Sequence, residues 1–273
     1  MAVSESDFLF ISGLLYDRLG FRLEKEKAYL VESRLAKVVE SAGVADLGRL
    51  ILLLKTGRPP EAIVSETLEA MTTNETFFFR DIVPFDVLRE KVLPDIIAKK
   101  RGEKTLAIWS AACSTGQEAY SIAMTLRESF PHLSNWNVRI IGTDVATKVM
   151  AKAQEGIFNQ TEMNRGVSPQ MLAKYFTRHG GDWKIKDEIR KMVSFRPLNL
   201  IQPWPLLPRM DVIFLRNVLI YMENDSRKSI LDRAHRQLER GGYMFLGAAE
   251  TTFNLSDHFT RMDWKSSGCF QSL

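Results

Sequence analysis

"TLAIWSAACSTGQEAYSIAMTLRESF", residues 105–130, decides the fold. It opens with an apolar run of strand length, passes through the small residues Ser110 to Gly116, and continues as a helix with Ile122 and Leu126 on one face. The same alternation returns downstream. "NVRIIGTD" (137–144) reads as a strand and "ATKVMAKAQ" (146–154) as a helix. "MVSFRPLNL" (192–200), "MDVIFLRNVLIY" (210–221) and "GGYMFLGAAE" (241–250) read as three more strands, with "SRKSILDRAHRQLERGG" (226–242) a helix between the last two. Strands that alternate with helices imply a mostly parallel sheet covered on both faces, an α/β doubly wound class. The tail "RMDWKSSGCFQSL" (261–273) can close that sheet as an antiparallel strand.

One segment breaks the rhythm. Residues 166–195 give a short helix and a β-hairpin whose turn lies near His179 to Asp182, as expected of a small antiparallel insertion. Upstream, residues 8–70 read as helices. Val31, Leu35, Val38 and Ala42 form one apolar stripe ended by Gly43, and further helices run over about 47–55 and 61–71. The chain therefore divides into an all-α domain with linker (1–80) and an α/β domain (81–273), with the insertion at 155–196.

Composition narrows the class. Of 273 residues, 45% are hydrophobic and 26% charged, the mixture of a globular protein. No apolar run reaches the roughly 20 residues of a membrane span, and Glu5 and Asp7 sit where a signal peptide would be basic. Two cysteines, Cys113 and Cys269, are too few for a disulfide framework and suit reduced cytosolic thiols. No metal site is expected. Residues 1–70 carry 9 Lys and Arg against 11 Asp and Glu, net −2, whereas residues 148–200 carry 10 against 5, net +5. The basic excess of the insertion suits an acidic partner or a solvated face. A total of +4 is a weak electrostatic footprint for nucleic acid.

Ligands of open parallel sheets sit beyond the carboxyl ends of the strands. After the first strand comes the small-residue turn 110–116, which has one glycine and is neither a dinucleotide fingerprint nor a P-loop. Asp144 ends the second strand, where a carboxylate can accept ribose hydroxyls or cap the next helix. Asn199 and Leu200 follow the third. Arg216 and Asn217 end the fourth, an expensive place for polar groups without partners. Together these strand ends favour a nucleoside ligand. "MTTNETFFFRD" (71–81) adds a puzzle, because three adjacent phenylalanines cannot share one face of a helix or strand. Its polar Asn74, Thr76 and Arg80 imply a lining.

In this order, "TTNETFFFR", "WSAACSTGQEAYSIAM", "GTD", "PLNL" and "FLRNVLIYM" resemble the CheR-type chemotaxis receptor methyltransferases over nearly the whole chain. The resemblance implies a Rossmann-like methyltransferase sheet with an N-terminal helical domain. It implies S-adenosyl-L-methionine as methyl donor, S-adenosyl-L-homocysteine as product, and glutamate side chains on the cytoplasmic helices of chemoreceptors as acceptors, for sensory adaptation. It places cofactor contacts on Asn74, Thr76, Arg80, Glu118, Asp144, Asn199, Leu200, Arg216 and Asn217, and Tyr221 near the reacting methyl group; Arg80 and Tyr221 are expected to orient the acceptor carboxylate as the catalytic pair. TTNETFFFR then becomes the inter-domain segment closing over the cofactor, with phenylalanines filling the seam.

Three departures from the family pattern stand out. The turn usually reads GEEPYS and here reads Gly116-Gln117-Glu118-Ala119-Tyr120-Ser121. The docking helix of the first domain, usually arginine-rich, is neutral here, though Lys27, Arg34 and Lys37 share a broad face. The hairpin turn at Gly180-Gly181 is short, so a receptor's C-terminal pentapeptide is expected to bind weakly or not at all. A cytoplasmic, monomeric enzyme without membrane insertion or nucleic-acid substrate is expected. Two other readings compete with this one. A nucleic-acid methyltransferase would want an Asn/Asp-Pro-Pro-Tyr motif, which "LNLIQPWP" (198–205) is not. A non-catalytic module sensing S-adenosylmethionine could dispense with Arg80 and Tyr221, and both are present.

Overall fold

The computed structural model describes residues 3–273. Four helices open the chain: α1 (Glu5–Leu19), α2 (Tyr29–Ser41), α3 (Leu47–Lys55) and α4 (Glu61–Met71). Their ends are written locally. Ser4 caps α1 by accepting from the Asp7 N–H, Asp46 caps α3 through the Arg49 N–H, and Gly20 and Gly43 take the left-handed conformation just past α1 and α2. Ile11, Leu15, Val31, Leu35, Leu50 and Val64 bury their side chains in one shared apolar centre. Ala42, at the end of the expected α2 stripe, is half-buried. Arg34 donates to the carbonyls of Met71 (2.7 Å) and Thr72 (3.1 Å), closing the open end of α4. It is thus a capping group for α4. Lys27 is paired with Glu24 at 2.8 Å.

An extended linker leads to α5 (Val83–Val87) and α6 (Leu93–Lys99), joined by a π-turn over Leu88–Val92. Pro94 lacks the N–H that a regular helix would use there, and the wider turn absorbs the loss. The rest of the chain runs β1 (Thr105–Ala111), α7 (Gln117–Ser129), β2 (Asn137–Asp144), α8 (Thr147–Glu155), β3 (Ile157–Phe158), α9 (Gln160–Asn164), α10 (Pro169–Tyr175), β4 (Phe176–His179), β5 (Asp182–Ile185) and α11 (Asp187–Arg190). It ends with β6 (Val193–Pro197), β7 (Met210–Leu215), α12 (Asn224–Gln237), β8 (Leu238–Leu246), β9 (Phe259–Arg261) and β10 (Cys269–Ser272).

Seven strands form the main sheet in the order β6-β2-β1-β7-β8-β10-β9. The first five are parallel, and β10 runs antiparallel between β8 and β9. The tail strand is therefore interior, and the unexpected three-residue β9 forms the edge. Strand order reverses direction between β1 and β7, which opens a crevice at their carboxyl ends. Alternation sorts the side chains. Ile108, Ile140, Val212 and Phe214 face α7, while Trp109, Ile141, Ile213 and Leu215 face the α12 side. Arg216 continues the parity of Val212 and Phe214, so its side chain emerges on the α7 side.

The insertion is a second, three-stranded antiparallel sheet, β3-β5-β4, with Gly180 and Gly181 at the hairpin turn. Against it lies the phenylalanine run, whose three rings point three ways. Phe77 is half-buried between Arg165, 4.6 Å away, and Arg80, 5.5 Å away. Phe78 is fully buried, edge-on to Phe158 (4.9 Å) and Phe176 (5.5 Å) of the insertion. Phe79 meets Phe85 edge-on at 5.3 Å, and its N–H donates to the Ser121 hydroxyl at 2.9 Å. Gly166 (φ 98°) permits this approach, because a Cβ there would fall 1.8 Å from the Phe78 carbonyl oxygen. Truncating Phe78 to alanine would cost about 3–5 kcal/mol and release the linker from the insertion.

Candidate active site

The turn after β1 is held by the end of β2. The Cys113 N–H donates to the Thr143 carbonyl at 2.9 Å, and the Ser114 N–H to the Asp144 carboxylate at 2.9 Å. The other Asp144 oxygen accepts from the Ala146 N–H at 3.0 Å. Ala112 (φ 56°) and Ser114 (φ 51°) are forced into the left-handed region, a local strain tolerated where surrounding bonds over-determine the backbone. Ser114 also donates its hydroxyl to the Asn74 carbonyl at 2.8 Å, pinning the linker over this turn. Burial raises the Asp144 pKa; three backbone N–H groups oppose the shift and the nearby Glu69 charge adds to it. With three backbone N–H groups around it, the carboxylate keeps at least one of its four lone-pair sites free. Asp144 does not cap α8: the Thr147 N–H is taken by Glu69, reaching over from α4.

Arg216 is the hub beneath the linker. Its side chain is 1% exposed and donates to Glu118 (3.0 Å), to Asp81 (2.6 Å) and to the Arg80 carbonyl (3.0 Å). Glu118 takes a second bond from the Ser110 hydroxyl at 2.7 Å. Its pKa is raised by burial, with the Arg216 charge and the Ser110 bond pulling the other way. One buried N–H, the Arg216 Nε, has no partner among the described residues. The partners that a strand-end arginine demanded are therefore protein carboxylates.

The helical domain supplies the far wall. Phe21 bridges to Met222, the Arg22 N–H donates to the Tyr221 carbonyl at 2.8 Å, and the Phe21 and Tyr221 rings stand 6.0 Å apart. Asn199 donates its side-chain amide to the Arg18 carbonyl at 2.7 Å and accepts from the Ile201 N–H at 3.1 Å. Its polar groups thus fasten α1 to the sheet domain.

All ten residues proposed from the sequence line one cleft of about 820 Å³, counting its open mouth. They are not equivalent. Thr76, Asn217 and Tyr221 have side-chain polar groups with no hydrogen-bond partner among the described residues, and Asp144 keeps spare acceptor capacity. Arg80, half-buried, spends one N–H on the Glu75 carbonyl at 2.8 Å and leaves the rest of its guanidinium open. Asn74 is paired with Thr72 at 3.0 Å. Leu200 is buried. Glu118 and Asn199 are already satisfied by protein, and Arg216 is satisfied at both terminal nitrogens though not at Nε.

The sequence reading missed Ser114, Phe21 and Glu250. Ser114 was read only as a small residue of the turn, and Phe21 lies in a domain that carried no chemical signal. Glu250 follows the fifth strand, and reading that strand's end like the other four would have found it.

A mostly parallel sheet with this strand order, a carboxylate at the end of β2 and a wall from an all-α domain define a nucleoside-binding α/β protein. Comparison with known proteins narrows the class. Residues 6–72 match the CheR methyltransferase all-alpha domain, and residues 74–267 match the CheR methyltransferase SAM binding domain. Chemotaxis protein methyltransferase 1 of Pseudomonas aeruginosa is 41% identical over 263 residues, 95% of each chain. A chemotaxis protein methyltransferase of Pseudomonas putida is 39% identical over 264 residues, again 95% of each. Among solved structures, the magnesium protoporphyrin IX methyltransferase of Synechocystis with bound S-adenosylhomocysteine aligns with a TM-score of 0.34 at 14% identity, over 78% of this chain and 70% of that one. The chain belongs to the CheR methyltransferase family, and it is an S-adenosylmethionine-dependent methyltransferase.

Proposed function

We propose that the chain methylates glutamate side chains on the cytoplasmic helical domain of chemoreceptors, the acceptor chemistry that adaptation in chemotaxis requires. The observation that carries this reading is the pairing of a nucleoside-type cleft with open polar groups, Arg80 and Tyr221, lining the same cleft. The cleft also fits the donor. Asp144 has acceptor capacity left for ribose hydroxyls. Asp144 would hold the ribose, and Thr76, Asn217, Asn74 and Leu200 would line the rest of the donor. Glu118, Arg216 and Asn199 would serve it by fixing the walls. S-adenosylmethionine supplies a methyl group made electrophilic by its sulfonium centre.

The protein's part is positioning. A receptor glutamate, with an ordinary pKa of about 4.3, is already ionised at neutral pH, so no residue has to remove a proton. Arg80 orients the incoming carboxylate through its open guanidinium N–H groups, and the Tyr221 hydroxyl, lining the same cleft, does the same. Too strong an ion pair would stabilise the carboxylate before reaction, so their help must grow toward the transition state. Alignment inside a cleft shielded from water can supply roughly 7–11 kcal/mol. The working division is a helical domain over 1–80 and a catalytic domain over 81–273, carrying the 155–196 insertion as a receptor-facing platform. We further infer a monomer acting in the cytoplasm. Among the described residues no helix is long and apolar enough to cross a membrane.

The test is transfer of tritiated methyl groups from the donor to a receptor cytoplasmic fragment, to RNA and to duplex DNA in parallel. Label in the receptor fragment alone is expected. Label in either nucleic acid would replace this reading with the other methyltransferase class.

A further inference from the structure

We propose that Glu250 is a positioning residue of the methyl-transfer site, a latch that sets the loop carrying Asn217 and Tyr221. It resides beyond β8, outside the residues the sequence assigned to the site. Its carboxylate accepts four backbone N–H bonds. One oxygen takes those of Gly247 (2.6 Å) and Asn217 (2.8 Å). The other takes those of Val218 (2.9 Å) and Ile220 (3.2 Å). Charge-assisted bonds of this kind are roughly twice as strong as neutral ones. They act on a loop that needs holding. Asn217 has φ 59°, a conformation non-glycine residues rarely adopt, and a short 3₁₀ turn over Leu219–Tyr221 follows directly.

The latch joins neighbouring strand ends. Leu215 of β7 pairs with Leu246 of β8, so the loops leaving the two strands emerge side by side, and Glu250 bonds them together. Gly247 makes the approach possible. A Cβ at that position would fall 2.6 Å from the Asn217 side-chain nitrogen and 2.8 Å from the Glu250 carboxylate. Glu250 does not line the cleft, whereas Asn217, Val218 and Tyr221 do. It therefore acts through them. Glu250→Gln separates this role from bulk. The amide keeps the shape but presents an NH₂ to one of the two donor pairs, so one half of the latch must open.

The inference rests on the proposed methyltransferase site, and the experiment separates the two. Glu250→Gln and Gly247→Ala are each compared with the wild type for S-adenosylhomocysteine affinity and stoichiometry by calorimetry, for thermal midpoint, and for kcat and receptor KM at saturating donor. Both variants are expected to bind the product analogue at full stoichiometry but about tenfold more weakly. Turnover is expected to fall about 100-fold with receptor KM little changed, as small misplacements of aligned groups do. Wild-type kcat and affinity in a folded Glu250→Gln or Gly247→Ala protein would overturn the proposal. So would a loss of turnover that merely tracks lost binding stoichiometry, the mark of partial unfolding. A wild-type protein that binds the analogue but methylates no receptor would count against the acceptor assignment, while the affinity comparison would still decide for or against Glu250.

Discussion

The Arg216 guanidinium meets the Glu118 carboxylate at 3.0 Å, with 1% and 11% of the two side chains exposed. A buried ion pair contributes little over an apolar pair of the same shape, yet removing one partner strands the other charge. Glu118→Gln and Arg216→Met are therefore each expected to lower unfolding free energy by about 3 kcal/mol. Glu118→Gln combined with Arg216→Met should lose clearly less than the sum of the single changes. Urea unfolding of the four proteins checks this, and simple additivity would mean that the pair does not act as a unit.

That pair shows how far the sequence could be read. The strand-end rule located Arg216 and Asp144 because an apolar run ending in a charge is a local signal. The identity of the partner was not local. Glu118 lies 98 residues from Arg216 along the chain, and only the shared parity of Val212, Phe214 and Arg216 brings them together. Asn199 was legible as a polar residue after a strand, but its use in fastening α1 through the Arg18 carbonyl was not. The strand β3, with two residues, is too short to show a period, and β9 has three. The alternation over residues 105–155 was legible because each element there is long enough to repeat its own pattern.

Asp144→Ala is expected to weaken S-adenosylmethionine and S-adenosylhomocysteine by similar factors, since the ribose is common to both. Leaving two hydroxyls unpaired costs about 1–3 kcal/mol, or roughly 5- to 150-fold. Calorimetry measures both, and a loss confined to one ligand would place Asp144 at the sulfur end instead.

The pH dependence has a definite sign. Burial raises the Asp144 pKa from the model-compound 3.8, so its carboxylate is protonated at a higher pH than an exposed aspartate. Affinity for the product analogue should therefore fall on acidification, starting at a higher pH than an exposed aspartate would give. The same raised pKa means that the folded state holds its proton longer than the unfolded chain, so this group's contribution to stability falls as pH rises through that window. Asp144→Asn should bind weakly with a flatter pH profile, and an unchanged profile would move the titration to another group.

Arg80→Ala should reduce turnover by about 10²–10³-fold, the scale for removing a preorganised charge-stabilising donor. Tyr221→Phe, which removes only the hydroxyl, should lower kcat by about tenfold while leaving donor affinity near its wild-type value. Steady-state kinetics at saturating donor decides, and near-normal turnover in Arg80→Ala would remove that residue from the site.

The hairpin carries Arg178, Lys184 and Lys186, but two of these are engaged locally. Arg178 stacks on Trp183 at 3.9 Å, and Lys186 donates to the Lys174 carbonyl at 2.5 Å. With a two-glycine turn the platform has little edge to offer a peptide strand, so a receptor tail pentapeptide should bind weakly or not at all. Exposed charges are screened over about 10 Å at 0.1 M salt, so receptor affinity should fall with added salt more steeply than donor affinity. Micromolar pentapeptide binding abolished by hairpin substitutions would contradict this.

The most direct measurement is mass spectrometry of a chemoreceptor cytoplasmic domain after incubation with the enzyme and S-adenosylmethionine, with peptides mapped to single side chains. Added methyl groups on glutamates of the receptor helices, absent when Arg80→Ala replaces the wild type, are the expected result. Receptor peptides that remain unmodified while the wild-type enzyme binds its donor, or methyl groups found on other side chains, would contradict the assignment of receptor glutamate as the acceptor.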